Sequence, residues 1–241
     1  MKQLNKFINE KLKISETSFM LEKLKISSKS KISQYQYFPK DKDELKELIK
    51  KLIEERGVNA NLNDVDVSEI TDMTDLFRNL YPHNINISEW DISNVKNMNN
   101  MFYDCENFNS DLSMWNVINV TSMVAVFEGC KNFNSDLGGW NVSKVTNMKS
   151  MFNGCINFNS DLSKWNVSKV INMHNMFANC KNFNSDLSKW NVHKVTNMNS
   201  MFFGCENFNS DLSKWDISKV KNMYSMFFYC KSLKNKPTWY N

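Results

Sequence analysis

The hydrophobic positions of this chain return at a fixed interval of 25 residues. A typical unit reads WNVSKVTNMKSMFNGCINFNSDLSK, and Met and Phe columns share the interval with Trp and Cys. Repeats of about 20–50 residues are typical of stacked units, each of which buries its apolar face against its neighbours. The two clearest columns are Trp90, Trp115, Trp140, Trp165, Trp190 and Trp215, and Cys105, Cys130, Cys155, Cys180, Cys205 and Cys230. These columns are therefore predicted to form the core.

Within one unit, two periodicities predict two elements. Trp115 and Val117 alternate with Asn116, which predicts a short strand with the two apolar side chains inward. A helical stripe is predicted over Val120, Met123, Val126, Phe127 and Cys130. The predicted fold class is an α/β repeat, a leucine-rich-repeat-like solenoid of about seven coils, each with a short parallel strand and a short helix.

Polar residues are predicted to bend the chain between these elements. The chain has only 6 Gly and 3 Pro, and Asn and Asp tolerate turn conformations and bond their own backbone. Ser or Asn residues stand where the N-caps of the predicted coil helices would lie, at Asn94, Asn119, Ser143 and Ser168. An Asp or Asn also follows each Trp, and this column is predicted to be a structural ladder, with a row of ligands for calcium as the alternative.

The chain is predicted to divide into four regions, the repeats and the segments that flank them. Residues 1–40 hold nine Lys against three Glu and are predicted to be a basic, loosely ordered tail or a docking segment. Residues 41–57 are predicted to be an N-terminal capping helix, which Asp41 or Asp43 begins and Gly57 ends. Residues 58–233 form the repeat solenoid, and 234–241 form a C-terminal cap.

The unit W-[ND]-[VI]-S-x-V-x-N-M-x-x-M-F-x-x-C-x-x-F-N-x-D-L-S-x, from about Val65 to Leu233, resembles the BspA-like leucine-rich-repeat surface proteins. It is more closely similar to the 25-residue repeats of unknown function that are abundant in Mycoplasma and in gut bacteria. The resemblance implies a leucine-rich-repeat-like solenoid and adhesion at the cell surface to host proteins or other bacteria.

Composition and spacing argue against several other functions. The formal net charge of +4 is too small to indicate a nucleic-acid partner, and no apolar run approaches the length of a transmembrane helix. The start of the chain lacks the apolar segment of a signal peptide, and no early Cys could take a lipid, which favours a cytoplasmic or virion location where the family resemblance implies the cell surface. Cysteines 25 residues apart do not match the spacing of zinc ligands, and no serine has the context of a nucleophile elbow and no Gly-rich loop could hold phosphate. No metal, no cofactor and no enzyme activity are therefore expected.

Function in a repeat protein is expected where the units differ. Lys164, Lys189 and Lys214 make a basic stripe in the C-terminal half, and His193 departs from the serines of its column. Aromatic side chains gather in the last coils, at Phe203, Tyr224, Phe228 and Tyr229. Exposed aromatic patches often mark partner sites, although burial against 237–240 would explain these equally well.

Two functions remain open at this stage. The first is a non-catalytic interaction or adhesion scaffold that binds a protein or glycan through the sheet face and the C-terminal coils. The second is a structural component of a phage particle or surface appendage, anchored by the N-terminal tail.

Overall fold

The computed structural model describes residues 34–240, and the prediction for the tail falls largely outside this range, on residues 1–33. Helix α1, Lys42–Arg56, is the only helix in the described range. The carboxylate of Asp41 accepts hydrogen bonds from the backbone N–H of Asp43 and Glu44, both at 2.9 Å, and thereby caps the first turn. Gly57 ends the helix with a φ of +87°, a conformation that glycine adopts without steric cost. The helix buries Leu45, Ile49, Leu52 and Ile53 against the first coil.

The prediction of a strand and a helix in every coil is wrong. From residue 58 to residue 240 the chain forms neither a further helix nor an extended strand, so the coils do not build an α/β solenoid. Each coil is instead a series of β-turns, closed by hydrogen bonds between residues three apart. In one coil the N–H of Trp115 donates to the carbonyl of Leu112 at 3.1 Å, and that of Val120 to Val117 at 2.9 Å.

Left-handed residues prevent each coil from becoming helical. Ala125 has a φ of +52° and Gly129 a φ of +79°, and a residue in this region cannot continue a right-handed helix. The first of these positions is left-handed in every full coil, at Asn100, Ala125, Ser150, Asn175, Ser200 and Ser225. The apolar spacing of three that predicts a helical stripe is here the spacing between the corners of consecutive turns. The proposed helix N-caps are therefore not caps; the side chain of Asn119 donates to the carbonyl of Ser93 in the preceding coil at 2.8 Å.

The coils stack in parallel with a register of 25 residues. Single-residue bridges join consecutive coils at Asp72, Asn97, Ser122, Asn147, Asn172, Asn197 and Asn222. Residues 115–117 do not pair with the neighbouring coils as predicted. The paired segment of this coil begins at Ser122, five residues after Val117. There the N–H groups of Met123, Ala125 and Gly129 donate forward to the next coil, at 3.0, 2.8 and 2.7 Å. Their peptide groups are aligned along the stack, so every interior coil is hydrogen-bonded on both sides.

The prediction that the repeated apolar columns form the core is confirmed. The Trp, Met, Phe and Cys positions of the interior coils are 0–4% exposed. Trp165 and Trp190 lie 6.4 Å apart and nearly parallel, and Phe152 and Phe177 stack at 5.6 Å. Because identical side chains meet at each interface, every coil depends on its neighbours to exclude water from its core.

Side-chain amides and carboxylates bend the chain, as the sequence predicts. The Asn141 side chain accepts from the N–H of Ser143 at 3.2 Å, so the column after Trp closes turns within its own coil instead of forming a ladder. A true inter-coil ladder forms elsewhere: Asn134 Oδ1 accepts from the N–H of Asn159, and Asn159 Oδ1 from that of Asn184. Within the described residues, no buried side-chain nitrogen or oxygen lacks a partner.

Candidate binding surfaces on the C-terminal coils

A polar groove of about 800 Å³ runs between two of the C-terminal coils. Two successive copies of the turn that precedes Trp line it, with Asn159, Asp161, Ser163 and Lys164 from one coil and Asn184, Ser185, Asp186 and Lys189 from the next. The structure therefore brings two of the predicted lysines together.

The groove offers charges of both signs. The carboxylate of Asp161 accepts from the N–H of Ser163 at 2.9 Å, and this bond and the Ser163 side chain hold the pKa of Asp161 below its usual value. Hydrogen bonds from Ser188 lower the pKa of Asp186 in the same way. Lys164 and Lys189 are exposed, and neither belongs to an ion pair of the described residues. Their ammonium groups remain available to a ligand.

The other two polar residues of the prediction lie beyond the groove lining. Lys214 occupies the Lys189 position of the following coil and is exposed beside Asp211, whose pKa is lowered chiefly by hydrogen bonds from Ser213 and further by the charge of Lys214. His193 lies one turn after Lys189, and its Nδ1 is 2.7 Å from the Asn191 side chain. Lys214 thus extends the lysine stripe, whereas the imidazole is held by its own turn.

A second lysine stripe runs through the same three coils and was missed. Its members in these coils are the exposed residues Lys169, Lys194 and Lys219, five positions after Lys164, Lys189 and Lys214, and Lys144 continues the column into the preceding coil. We call the six residues of the three coils together the lysine face. The 25-residue spacing of these lysines is visible in the sequence. A residue that recurs in successive units is, however, readily interpreted as structural, because function is expected where the units differ.

The predicted aromatic residues form a separate surface. Phe203 stacks on Phe228 with a centroid distance of 5.6 Å and meets Tyr229 edge-on at 5.7 Å. Tyr224 is 78% exposed and lines a cavity of about 360 Å³ with Phe228 and Lys236. This cavity shares no residue with the groove, so the predicted site divides into two regions.

The C-terminal segment does not bury these aromatic side chains. Trp239 and Tyr240 pack on Phe227, with centroid distances of 6.3 and 4.9 Å. Phe228 and Tyr229 remain 52% and 61% exposed. They are the part of the last coil that a partner could contact.

All six cysteines are free thiols; five are buried, and Cys230 in the last coil is half-buried. Cys130 Sγ donates to the carbonyl of Phe102 at 3.0 Å, and the same contact recurs at each Cys of the column. Burial raises the pKa of the Cys105 thiol to about 12 and raises that of Cys155 strongly. Such thiols behave as small apolar side chains. Between residues 34 and 240, no group of three His, Cys, Asp or Glu could hold a metal ion.

Acidic residues occupy the opposite end of the stack. Glu89 and Asp91 are exposed, and Glu89 accepts a hydrogen bond from the Gln34 side chain at 2.8 Å. Partial burial raises the pKa of Tyr35, and the nearby negative charges of Asp66, Asp91 and Glu89 raise it further. The two ends of the stack therefore differ in charge.

These observations define a repeat protein of stacked β-turn coils. It belongs to the family described as Mycoplasma protein of unknown function, DUF285, whose model matches residues 44–162 and 135–240. The resemblance to the Mycoplasma repeats is thereby confirmed, whereas the resemblance to BspA-like leucine-rich repeats is not. No curated protein and no solved structure matches the chain. The one helix described is too short and too polar to cross a membrane.

Proposed function

We propose that this protein is a non-catalytic scaffold that binds a partner protein through the groove and the adjoining lysine stripe. One observation carries the proposal: Lys164, Lys189 and Lys214 are exposed in consecutive coils and form no ion pair among the described residues. The neighbouring carboxylates of Asp161, Asp186 and Asp211 instead accept from serine N–H groups of their own turns. The stack repeats regularly beside these lysines: the rings of the adjoining Trp165, Trp190 and Trp215 lie 6.4 Å apart from coil to coil. A preorganised row of cations suits an acidic protein surface.

The aromatic surface supplies a second contact in the same account. Phe228 and Tyr229 are more than half exposed, and aromatic side chains of this kind are enriched among the residues that dominate binding energy. The non-catalytic part of the proposal is supported by the cysteine column. Burial keeps these potential nucleophiles protonated, and their thiols are engaged by backbone carbonyls.

The experiment uses a labelled Asp/Glu-rich peptide as the acidic probe and a neutral oligosaccharide as the glycan probe. Binding of each to the full chain is measured by fluorescence anisotropy at low salt. The test variant is Lys164→Glu/Lys189→Glu/Lys214→Glu. The matched control, Lys169→Glu/Lys194→Glu/Lys219→Glu, makes the same charge change in the same coils.

We expect the test variant to lose at least about tenfold in peptide affinity, since three reversed charges exceed about 1.4 kcal/mol together. The control should lose clearly less. Equal losses of peptide affinity in the two variants would show that net charge alone drives binding and would refute the proposal that the groove is the binding site. Binding of the oligosaccharide but not of the peptide would show that the partner is a glycan and not an acidic protein.

A further inference from the structure

One outer face of the stack changes sign from end to end. It consists of the segment around each Trp–Asn–Val unit, which we call the long face: residues 64–69, 89–94, 114–119, 139–144, 164–169, 189–194 and 214–219. Its first two coils carry Asp64, Asp66, Glu69, Glu89 and Asp91, its fourth carries Lys144, and its last three carry the lysine face and Asp216.

The acidic charges are available at the surface. Glu69 and Glu89 are exposed, and Glu69 has no ion pair among the described residues. Among the acidic residues of this end, only Asp64 forms an ion pair with another residue of 34–240, Arg56, at 2.9 Å. Among the described residues, the acidic end therefore retains a net negative charge, with Gln34 and Tyr35 of the same chain beside Glu89.

The middle of the long face carries one charge, Lys144, whose Nζ donates to the Asn119 side chain at 2.7 Å, and is otherwise uncharged and partly apolar. Met114 is 83% exposed and Ile118 is 37% exposed, in the third coil. In the fourth coil Gly139 has no side chain, and a Cβ there would meet only the Ser113 carbonyl oxygen, at 3.9 Å. A second surface could approach the backbone closely at this point.

We propose that the long face binds the long face of a second copy of this chain, in antiparallel orientation. The proposal rests on the proposed function, because it names the partner of the same lysines. With the twofold axis at the fourth coil, the first coil of one copy faces the seventh of the other, and the second faces the sixth. Glu69 then meets Lys219, Glu89 meets Lys189, and Met114 meets the aliphatic stem of Lys164. The same pairing also creates two contacts between like charges, Lys144 with its own copy at the axis and Asp66 with Asp216.

Charge selects this orientation over a parallel one. In a parallel pair the acidic ends would face each other and so would the lysines, which repel. In the antiparallel pair each contact occurs twice, as twofold symmetry requires. Since the pairs lie near the surface, salt weakens them.

The test compares full-length variants by sedimentation equilibrium at low and at high salt. Variant A carries Glu69→Lys/Glu89→Lys, and variant B carries Lys189→Glu/Lys219→Glu. Variant AB carries all four changes. The control, Lys149→Glu/Lys234→Glu, makes the charge change of variant B away from the long face.

We expect a salt-sensitive dimer for the wild type, the control and variant AB, and monomers for A and B separately. An equimolar mixture of A and B should form a heterodimer, because one long face is then basic and the other acidic. A monomeric wild type at low salt, or A and B that dimerise as well as the wild type, would overturn the proposal. Either result would leave peptide binding at the groove to stand or fall by its own three-lysine variant.

Discussion

The indole N–H of Trp140 donates a hydrogen bond of 3.0 Å to the backbone carbonyl of Leu112, which lies 28 residues earlier in the preceding coil. The tryptophans at the same position of other coils donate the corresponding bond, namely Trp115, Trp165, Trp190 and Trp215. Each tryptophan thus fills the core of its own coil and satisfies a buried carbonyl of the coil before it.

Replacing Trp140 by Phe tests this coupling. Phenylalanine keeps the apolar ring but leaves the Leu112 carbonyl without its donor, at a cost of about 1–3 kcal/mol. Urea denaturation should show this loss as a lower midpoint. Trp239→Phe is the matched control, because Trp239 makes the same bond to Leu212 at the half-buried end of the stack. If the urea midpoint falls equally in Trp140→Phe and Trp239→Phe, burial of the accepting carbonyl does not determine the cost of losing its donor.

The left-handed position of the coil makes an unusual prediction for alanine. Ala125 has a φ of +52°, which costs an alanine about 1–2 kcal/mol but costs glycine nothing. We expect Ala125→Gly to raise the free energy of unfolding by about 0.5–1 kcal/mol. Ala178 is equally buried and not left-handed, so Ala178→Gly should lower it by a similar amount. Thermal denaturation of both variants checks this. If Ala125→Gly and Ala178→Gly both lower the free energy of unfolding, the φ of residue 125 does not determine the effect of the substitution.

The prediction of the fold from sequence succeeds where no left-handed residue intervenes. The stripe of α1 gives a helix because residues 42–56 contain no turn-forming Asn or Gly. In the coils, Met123 and Phe127 carry an equally helical spacing, but Ala125 is left-handed between them. Apolar residues three apart fit the corners of β-turns as well as one face of a helix, and spacing alone cannot separate the two.

The candidate site was predictable in part for a related reason. Equal 25-residue spacing places Lys164 beside Lys189 whatever the path of the coil. Whether Tyr224 lies on the same side as Lys214 depends on the turns between them, which the sequence does not specify. Asp161 and Asp186 were overlooked because their column is constant, although they line the groove.

The cysteine column predicts how stability depends on pH. Burial raises the pKa of Cys105 and of Cys230 to about 12, whereas an unfolded thiol titrates near 8.5. A folded-state pKa above the unfolded one means that this contribution is complete below about pH 8.5 and declines as the pH rises toward 12. The urea midpoint should therefore be lower at about pH 10 than at pH 7.

Thiolate absorbance separates this effect from the ionisation of Tyr and Lys. At about pH 10 the native protein should show little thiolate absorbance, and the unfolded chain should show the signal of all six cysteines. A native thiolate signal as large as the unfolded one would contradict the burial of the column.

The turn carboxylates predict a difference between Asn and Ala substitutions. Asp186 accepts from the N–H of Ser188 at 2.9 Å, and an Asn side chain could accept the same bond. Asp186→Asn should therefore preserve the urea midpoint better than Asp186→Ala at neutral pH. Because the pKa of Asp186 is lowered on folding, any advantage of Asp over Asn should vanish as the pH falls through that pKa.

The central structural claim is that 25 residues form one interchangeable coil, held by its contacts with the coils on either side. Deleting residues 137–161 removes one coil and joins Asp136 to Leu162, which preserves the sequence of the turn. Deleting residues 137–148 removes fewer residues but breaks the register of every later column.

The most direct measurement is the cooperativity of urea unfolding for these two deletions. We predict that the 25-residue deletion retains a single cooperative transition and that the shorter deletion loses it. If the shorter deletion unfolds as cooperatively as the longer one, the register of 25 residues does not hold the stack together and the account is wrong.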